Sequence, residues 1–381
     1  MLVCGTLGES WLSASSLLSG VCRAGRRAIS RRRKLPDLPP AALRLEIDRD
    51  ALASNWRVMD AMSGAASAGA AVKADAYGIG ARVAVPVLRD AGCRDFFVTY
   101  AHEAADLIGL VPPRSISLLH GPINDGVARW ARETGVRVVI NSLEQAARWL
   151  EAGGGTCDLM VDTGINRLGL PLAQLGDPLI GRLEIDILMS HLASADEDVS
   201  LNARQCARWQ EARNLVPHRR SSLANSAGIA LGQDYHGDLT RPGLALYGGV
   251  PRSIFEGRIA QVARPMAAVM QVRDIEAGEG VGYNATFIAP SPMRVGVVAL
   301  GYADGFLRCW SGGKGGLLWK GRRLPVLGRV SMDMVDVDLA GAQDLREGDW
   351  LELDYSLPEA ALSSGLSQYE LLTLLGDRFA R

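Results

Sequence analysis

The chain has 381 residues, 48% of them hydrophobic, with a formal net charge of −1 at pH 7. That length supports a large core and two domains, while the near-neutral charge excludes a chiefly electrostatic role on nucleic acid or acidic membrane. The six cysteines are scattered without metal-ligand spacing, which fits a reducing cytoplasm and excludes structural zinc or a disulfide framework, and no apolar run approaches the roughly 20 residues that span a bilayer.

Residues 1–40 stand apart. They hold seven basic residues (Arg23, Arg26, Arg27, Arg31, Arg32, Arg33 and Lys34) against Glu9 and Asp37, a net of +5 that leaves −6 for the rest. The segment is Ser-rich, then Arg-rich, and closes on Pro36, Pro39 and Pro40. Its charge follows its apolar stretch, the reverse of a secretory signal, although an Arg-rich, acid-poor leader also suits an organelle transit peptide. The composition predicts a disordered basic extension without a function of its own.

From Leu43 onward, short apolar runs alternate with helical periodicity. The strand candidates are Arg44–Ile47, Ala70–Ala74, Asp95–Tyr100, Ser115–His120, Arg137–Asn141, Asp158–Asp162, Asp186–Ser190 and Ser221–Asn225. Helical patterning is clearest over Ala51–Met62, Leu143–Leu150 and Leu201–Leu215, with Asp48, Asn124, Ser142 and Ser200 as candidate caps. Eight strands with intervening helices predict a (β/α)8 barrel of the TIM type over residues 41–262. An open doubly wound sheet would want a Gly-rich turn after the first strand, and Ile47-Asp48-Arg49-Asp50 offers none. After residue 262 the strand candidates shorten: Val269–Val272, Val295–Gly301, Leu317–Leu318, Pro325–Val330, Val335–Leu339 and Trp350–Leu353, with Gly-rich or charged turns between them. Residues 263–381 therefore read as an all-β domain with a helical tail near Tyr369–Leu375.

Within the barrel region, Ala71-Val72-Lys73-Ala74-Asp75-Ala76-Tyr77-Gly78-Ile79-Gly80 delivers a lysine to the end of a small-residue strand. A lysine dehydrated there sheds charge and can form a Schiff base with an aldehyde cofactor, whereas an isolated one simply reaches out to solvent. The stretch closely resembles the cofactor-lysine motif of alanine racemases, Val-Val-Lys-Ala-Asn-Ala-Tyr-Gly-His-Gly, with Asp75 for the usual Asn and Ile79 for the usual His. Further motifs follow in that family's order over residues 43–381. Val161-Asp162-Thr163-Gly164-Ile165-Asn166-Arg167-Leu168-Gly169 puts an arginine on a Gly-flanked loop, suited to clamping a carboxylate or to an ordinary turn. Ser190-His191 through Asp196, Asn225-Ser226, Thr240-Arg241-Pro242-Gly243-Leu244, Val281-Gly282-Tyr283, Gly301-Tyr302-Ala303-Asp304-Gly305 and Gly328-Arg329-Val330-Ser331-Met332-Asp333 complete the set.

The resemblance implies a pyridoxal-5′-phosphate enzyme that interconverts L- and D-alanine as a homodimer in the bacterial cytoplasm, supplying D-alanine for peptidoglycan. Charge, cysteine spacing and the lack of a long apolar run give no reason to expect a metal, a nucleic-acid partner or a membrane. Lys73 and Tyr283 become the two proton-transfer groups, Tyr283 reaching the partner's cofactor. Ser226, Gly243, Leu244, Tyr77 and Tyr369 hold the cofactor phosphate, and Asn225 is a further cofactor-binding residue. Arg167 stands near the ring oxygen and the substrate carboxylate, and His191 hydrogen-bonds Arg241 beneath the cofactor. The Met332 N–H contacts the substrate carboxylate, and Asp196, Tyr302, Arg308 and Arg329 line the access path. Arg241 has a separate chemical logic, because a permanent cation beside a pyridine nitrogen disfavours its protonation and makes the ring a weaker electron sink. Met160 departs from relatives that carry a carbamylated lysine there, so Arg167 needs another means of orientation. A serine or broad-specificity racemase would share every motif; a decarboxylase of related fold would want an acid in place of Arg241; a non-enzymatic cofactor binder would lack the second domain.

Overall fold

The computed structural model describes residues 39–381, so the expected basic extension falls outside the described residues apart from its last two positions. Seven short parallel strands run Ala70–Ala71, Phe96–Val98, Ile116–Leu118, Arg137–Ile140, Thr156–Asp162, Glu184–Met189 and Arg220–Ser222, neighbours in that order. Leu239–Thr240 supplies the eighth. It pairs in parallel with Ser67–Ala68, just ahead of the Ala70–Ala71 strand, while Asp238 N donates to Ser221 O at 2.8 Å and Arg241 N to Ala224 O at 2.8 Å. The sheet thus closes on itself as a barrel whose strand C-termini share one end.

One expected strand lies elsewhere. Leu43–Ile47, read as the first barrel strand, instead pairs antiparallel with Ala263–Ile275 in the second sheet, Leu43 opposite Ala267 and Ile47 opposite Ala263. Its burial explains why: Leu43 and Leu45 are buried while Arg44 and Glu46 are exposed. That alternation belongs to an antiparallel sheet with one wet face, whereas Phe96–Val98, Ile116–Leu118 and Arg137–Ile140 are buried throughout. Each barrel strand from Ala70–Ala71 onward is therefore one place earlier in the ring than the sequence suggests.

The second sheet runs Leu43–Ile47, Ala263–Ile275, Met293–Val298, Val335–Asp338, Arg322–Leu327, Gly316–Trp319 and Trp350–Leu353. Trp350–Leu353 returns to pair with Ala263–Ile275, closing an antiparallel barrel. A helix at Leu357–Ser364, absent from the sequence reading, precedes the tail helix Gln368–Thr373. Of the expected caps, Asp48, Asn124 and Ser142 accept from Ala51, Val127 and Gln145 N–H groups. Ser200 does not cap: it is the first residue of its helix, and Val199 precedes it without a side-chain bond.

The α/β barrel interior is layered. At the N-terminal ends of the strands, buried Arg137 reaches Asp95 at 2.9 Å, Asp186 at 2.8 Å and Asp158 at 3.5 Å, and Arg220 ties Asp95 to Asp186. Above this ionic layer lies an apolar one of Phe97, Val139, Met160, Ile187, Met189 and Leu239. The polar groups of the site sit over that plug, at the C-terminal mouth. No helix among the described residues is long and apolar enough to cross a membrane.

Candidate active site

The barrel mouth opens into a cavity of about 860 Å³, and its walls bring together Lys73, Tyr77, Arg167, His191, Asn225, Ser226, Arg241, Gly243, Leu244 and Tyr369. These residues arrive on six separate chain segments, five at the ends of barrel strands and the sixth, bearing Tyr369, on the tail helix, so only the folded chain assembles them. The corrected strand count places Ser226 after the seventh barrel strand and Gly243 after the eighth, the two loops that commonly hold phosphate in such barrels.

Lys73 opens a turn of unusual hand. Ala74, Asp75 and Ala76 have φ of 51°, 50° and 54°, and Tyr77 follows at 56°, so four non-glycine residues in succession are left-handed. Such a conformation costs about 1–2 kcal/mol per residue and persists only where the surroundings impose it. The restraints are visible. Asp75 Oδ1 accepts from Ala81 N at 2.6 Å, and the Arg381 guanidinium donates to Gly78 O at 2.9 Å. A Cβ on Gly78 would stand 2.5 Å from Leu372 O, so glycine there lets the tail helix close over the turn. An Asn at position 75 has the same acceptor oxygen, which accounts for the exchange with Asp; Ile79 is fully buried in apolar core. The turn holds the Lys73 amine partly out of water. Burial lowers its proton affinity, the Arg167 cation lowers it further, and Glu103 opposes both.

At the phosphate side, Ser226 Oγ accepts from Gly243 N at 2.9 Å and Ala245 N at 3.2 Å. Tyr77 packs against Tyr247 and Tyr369, with ring centroids 5.0 and 6.1 Å away. Burial raises the proton affinity of the Tyr77 phenol, with Tyr369 adding to it; burial does the same for Tyr369, helped by Asp196. Both phenols therefore keep their protons and serve as donors to an anion. Asn225 has a local duty, its Oδ1 capping Gly228 N at 2.9 Å.

Arg241 is buried and, among the described residues, hydrogen-bonds only to neutral oxygens: Ser222 Oγ, Ser190 O and Leu223 O. The expected bond from His191 to Arg241 is absent; the guanidinium takes the carbonyl of Ser190, one residue earlier, in its place. Burial, then Arg241, Arg167 and Lys73, push His191 down to about 3, so its imidazole is neutral. Burial brings Arg241 down to about 10, which leaves it cationic at neutral pH.

The Arg167 loop is held through its backbone. Asp162 Oδ1 accepts from Gly164, Ile165 and Asn166 N–H groups at 2.8, 3.1 and 3.2 Å. Thr163 Oγ1 pairs with Ser190 Oγ at 2.7 Å. Fully buried Gln205 joins the two loops, donating to Thr163 Oγ1 at 3.2 Å and His191 O at 3.0 Å and accepting from Ala193 N at 2.9 Å. The guanidinium itself has no hydrogen-bond acceptor among the described residues, and Met160 belongs to the apolar plug below it. Sequence reasoning missed Gln205 and the cavity-lining His120. A glutamine fully buried within a polar-faced helix leaves no local mark, since its partners lie on other segments.

Tyr369 apart, the second-domain residues expected at the site do not meet this cavity within one chain. Tyr283 is 65% exposed and Met332 52% exposed. Arg308 stacks over the Tyr302 ring at 5.3 Å, and Arg329 lines a different groove. Asp196, by contrast, is near enough to Tyr369 to bias its proton.

Pyridoxal 5′-phosphate fits these residues. A Cβ at Gly243 would lie 2.5 Å from Tyr77 Oη, so glycine lets this backbone pass close beside a phenol donor. Arg241, without a carboxylate partner, suits an unprotonated ring nitrogen, and Lys73 supplies the amine. The chain matches the family models for the alanine racemase N-terminal domain over residues 47–251 and C-terminal domain over residues 262–381. It is 40% identical over 357 residues to an alanine racemase of Methylobacterium nodulans, covering 89% of this chain and 95% of that one. It is equally identical over 366 residues to the biosynthetic alanine racemase of Agrobacterium fabrum, covering 90% and 93%. Among solved structures, alanine racemase from Bartonella henselae with covalently bound pyridoxal phosphate superposes with a TM-score of 0.82 at 34% identity, covering 90% of this chain and 99% of that one. Cavity, motifs and relatives agree: the chain belongs to the alanine racemase family.

Proposed function

We propose that the chain interconverts L- and D-alanine, using pyridoxal 5′-phosphate carried on Lys73. The observation that carries this reading is the convergence, in one cavity, of a charge-depressed lysine, a phosphate cradle without its own lysine or arginine, and an arginine bonded only to neutral oxygens. When bound, the cofactor supplies the electron-withdrawing ring that makes the Cα–H of an amino acid acidic.

Inversion at Cα requires a proton to leave one face and another to arrive on the opposite one. Lys73 Nζ, held partly out of water, serves one face. The hydroxyl of Tyr283 from a second copy of the chain serves the other. Tyr283 is prominently exposed and lies off its own chain's cavity, which supports a homodimer with shared sites. Arg167 and the Met332 N–H, which has no acceptor among the described residues, bind the alanine carboxylate. Arg241 stays cationic and holds protons away from the ring nitrogen, so proton return is confined to Cα. Asp196, Tyr302, Arg308 and Arg329 form the polar access path in that dimer. D-alanine made in this way feeds peptidoglycan in a bacterial cytoplasm.

The test is direct. Purified full chain with added cofactor converts L-alanine to D-alanine, and it shows an absorbance band near the visible edge that borohydride abolishes, leaving the label on Lys73. Tyr283→Phe suppresses inversion. Equal rates in both directions for Tyr283→Phe and the wild type would refute the two-face assignment, and failure to form D-alanine would refute the activity.

A further inference from the structure

The strained turn that carries Lys73 is fastened from outside by a side chain that the sequence reading did not single out. Glu103 lies in the helix Ala101–Leu107, which follows the Phe96–Val98 barrel strand. One of its carboxylate oxygens caps its own helix, accepting from Thr99 N at 2.7 Å and Tyr100 N at 3.1 Å. The other crosses to the neighbouring barrel loop and accepts from Ala74 N at 2.6 Å. Ala74 is the first left-handed residue after Lys73, so this bond lands one residue beyond the amine-bearing Cα.

We propose that Glu103 is a positioning residue for Lys73, its carboxylate clamping the left-handed turn to the adjacent strand end and fixing where the amine points. The inference rests on the reading of Lys73 as the reactive amine. A carboxylate suits this post because both of its oxygens only accept, and three N–H groups face it. An amide of the same shape must turn its NH2 toward at least one of those donors and lose the bond.

The same group acts on charge. Lys73 stands among the Arg167 cation, the neutral His191 and His120; among the described residues Glu103 is the anion that raises its proton affinity, against burial and Arg167. Removing that anion makes the free amine available at lower pH. A residue that merely capped its helix would leave the amine's titration where it was.

The experiment uses full-length chain in two forms, wild type and Glu103→Gln, with Glu103→Ala as a second variant. Cofactor-loaded protein is assayed for alanine inversion, and protein stripped of cofactor is labelled with acetic anhydride across pH. Lys73 and Lys320 are read separately by peptide mass spectrometry, Lys320 being a distant reference paired with Asp344. For Glu103→Gln, kcat should fall about 10- to 100-fold, the scale set by small misplacement of a reacting group. KM should change much less, and half-labelling of Lys73 should move to lower pH while Lys320 stays put. Unchanged kcat together with an unchanged Lys73 labelling profile overturns the proposal, whatever happens to the melting temperature. A wild-type chain that forms no D-alanine overturns the activity reading instead, and a labelling shift in the variant would still support the role of Glu103.

Discussion

Gly243→Ala tests the phosphate cradle with a single methyl group. The added Cβ would lie 2.5 Å from Tyr77 Oη, 3.0 Å from Tyr77 Cζ and 3.3 Å from Ala71 Cβ. Ordinary carbon contacts sit near 3.5–4.0 Å, so the phenol must retreat by about 1 Å. It has little room, because Tyr77 is packed between Tyr247 and Tyr369 and the Tyr247 hydroxyl is itself tied to Ala71 O at 2.8 Å. Overpacking of this kind costs about 1–3 kcal/mol. Removing a phenol bond to a charged group costs about 1.5–3 kcal/mol. At 1.4 kcal/mol per decade, the dissociation constant for pyridoxal 5′-phosphate should rise about 10- to 100-fold. Titrating cofactor into stripped full-length protein, followed by the absorbance band, measures it, with a melting curve of the same sample for the packing term. At saturating cofactor the KM for alanine should stay near the wild-type value. Cofactor affinity within about twofold of wild type, with an unchanged melting curve, would refute the cradle as drawn.

Three further outcomes follow from the geometry. Arg137→Met strips the buried partner from Asp95, Asp158 and Asp186, and should cost about 3–5 kcal/mol of unfolding free energy by denaturant titration. Gln205→Leu leaves Thr163, His191 and Ala193 backbone or hydroxyl groups without their shared partner and should raise the KM for alanine through the Arg167 loop, with a stability loss of about 2 kcal/mol. His191 is depressed to about 3, below its ordinary 6.5. Between those values the unfolded chain binds a proton that the folded chain refuses, so stability falls as pH drops through that window. His191→Asn should flatten that part of the melting-temperature profile relative to wild type.

Much of this molecule is legible from residue order, because the chemistry sits where barrel strands end. Lys73, His191 and Asn225 are each found just beyond a run of buried small or branched residues, and the structure places all of them at one mouth. The miscount of strands has a readable cause: Leu-Arg-Leu-Glu-Ile over Leu43–Ile47 alternates, and alternation argues against a parallel barrel strand buried on both faces. Leu239–Thr240 was beyond reach, since two residues between Asp238 and Arg241 carry no period at all. Nor does Ala74-Asp75-Ala76-Tyr77 announce its hand, for only Asp among them has any leaning toward positive φ. Glu103 and Gln205 share a further obstacle. Their partners are mostly main-chain groups brought in by the fold, and identity at those partner positions is irrelevant to the bond.

The strand exchange at the start of the barrel bears on how the molecule is made. Leu43–Ile47 emerges from the ribosome before any barrel strand, yet its sheet neighbour begins only at Ala263, and its other edge meets Ala380 near the end of the chain. The second barrel must therefore be made before that segment finds its neighbours, and pairings so distant along the chain are slow to close. Severing the polypeptide between the two barrels would give a front half with an orphaned ribbon and a rear half with a missing stave, so neither fragment should fold cleanly by itself.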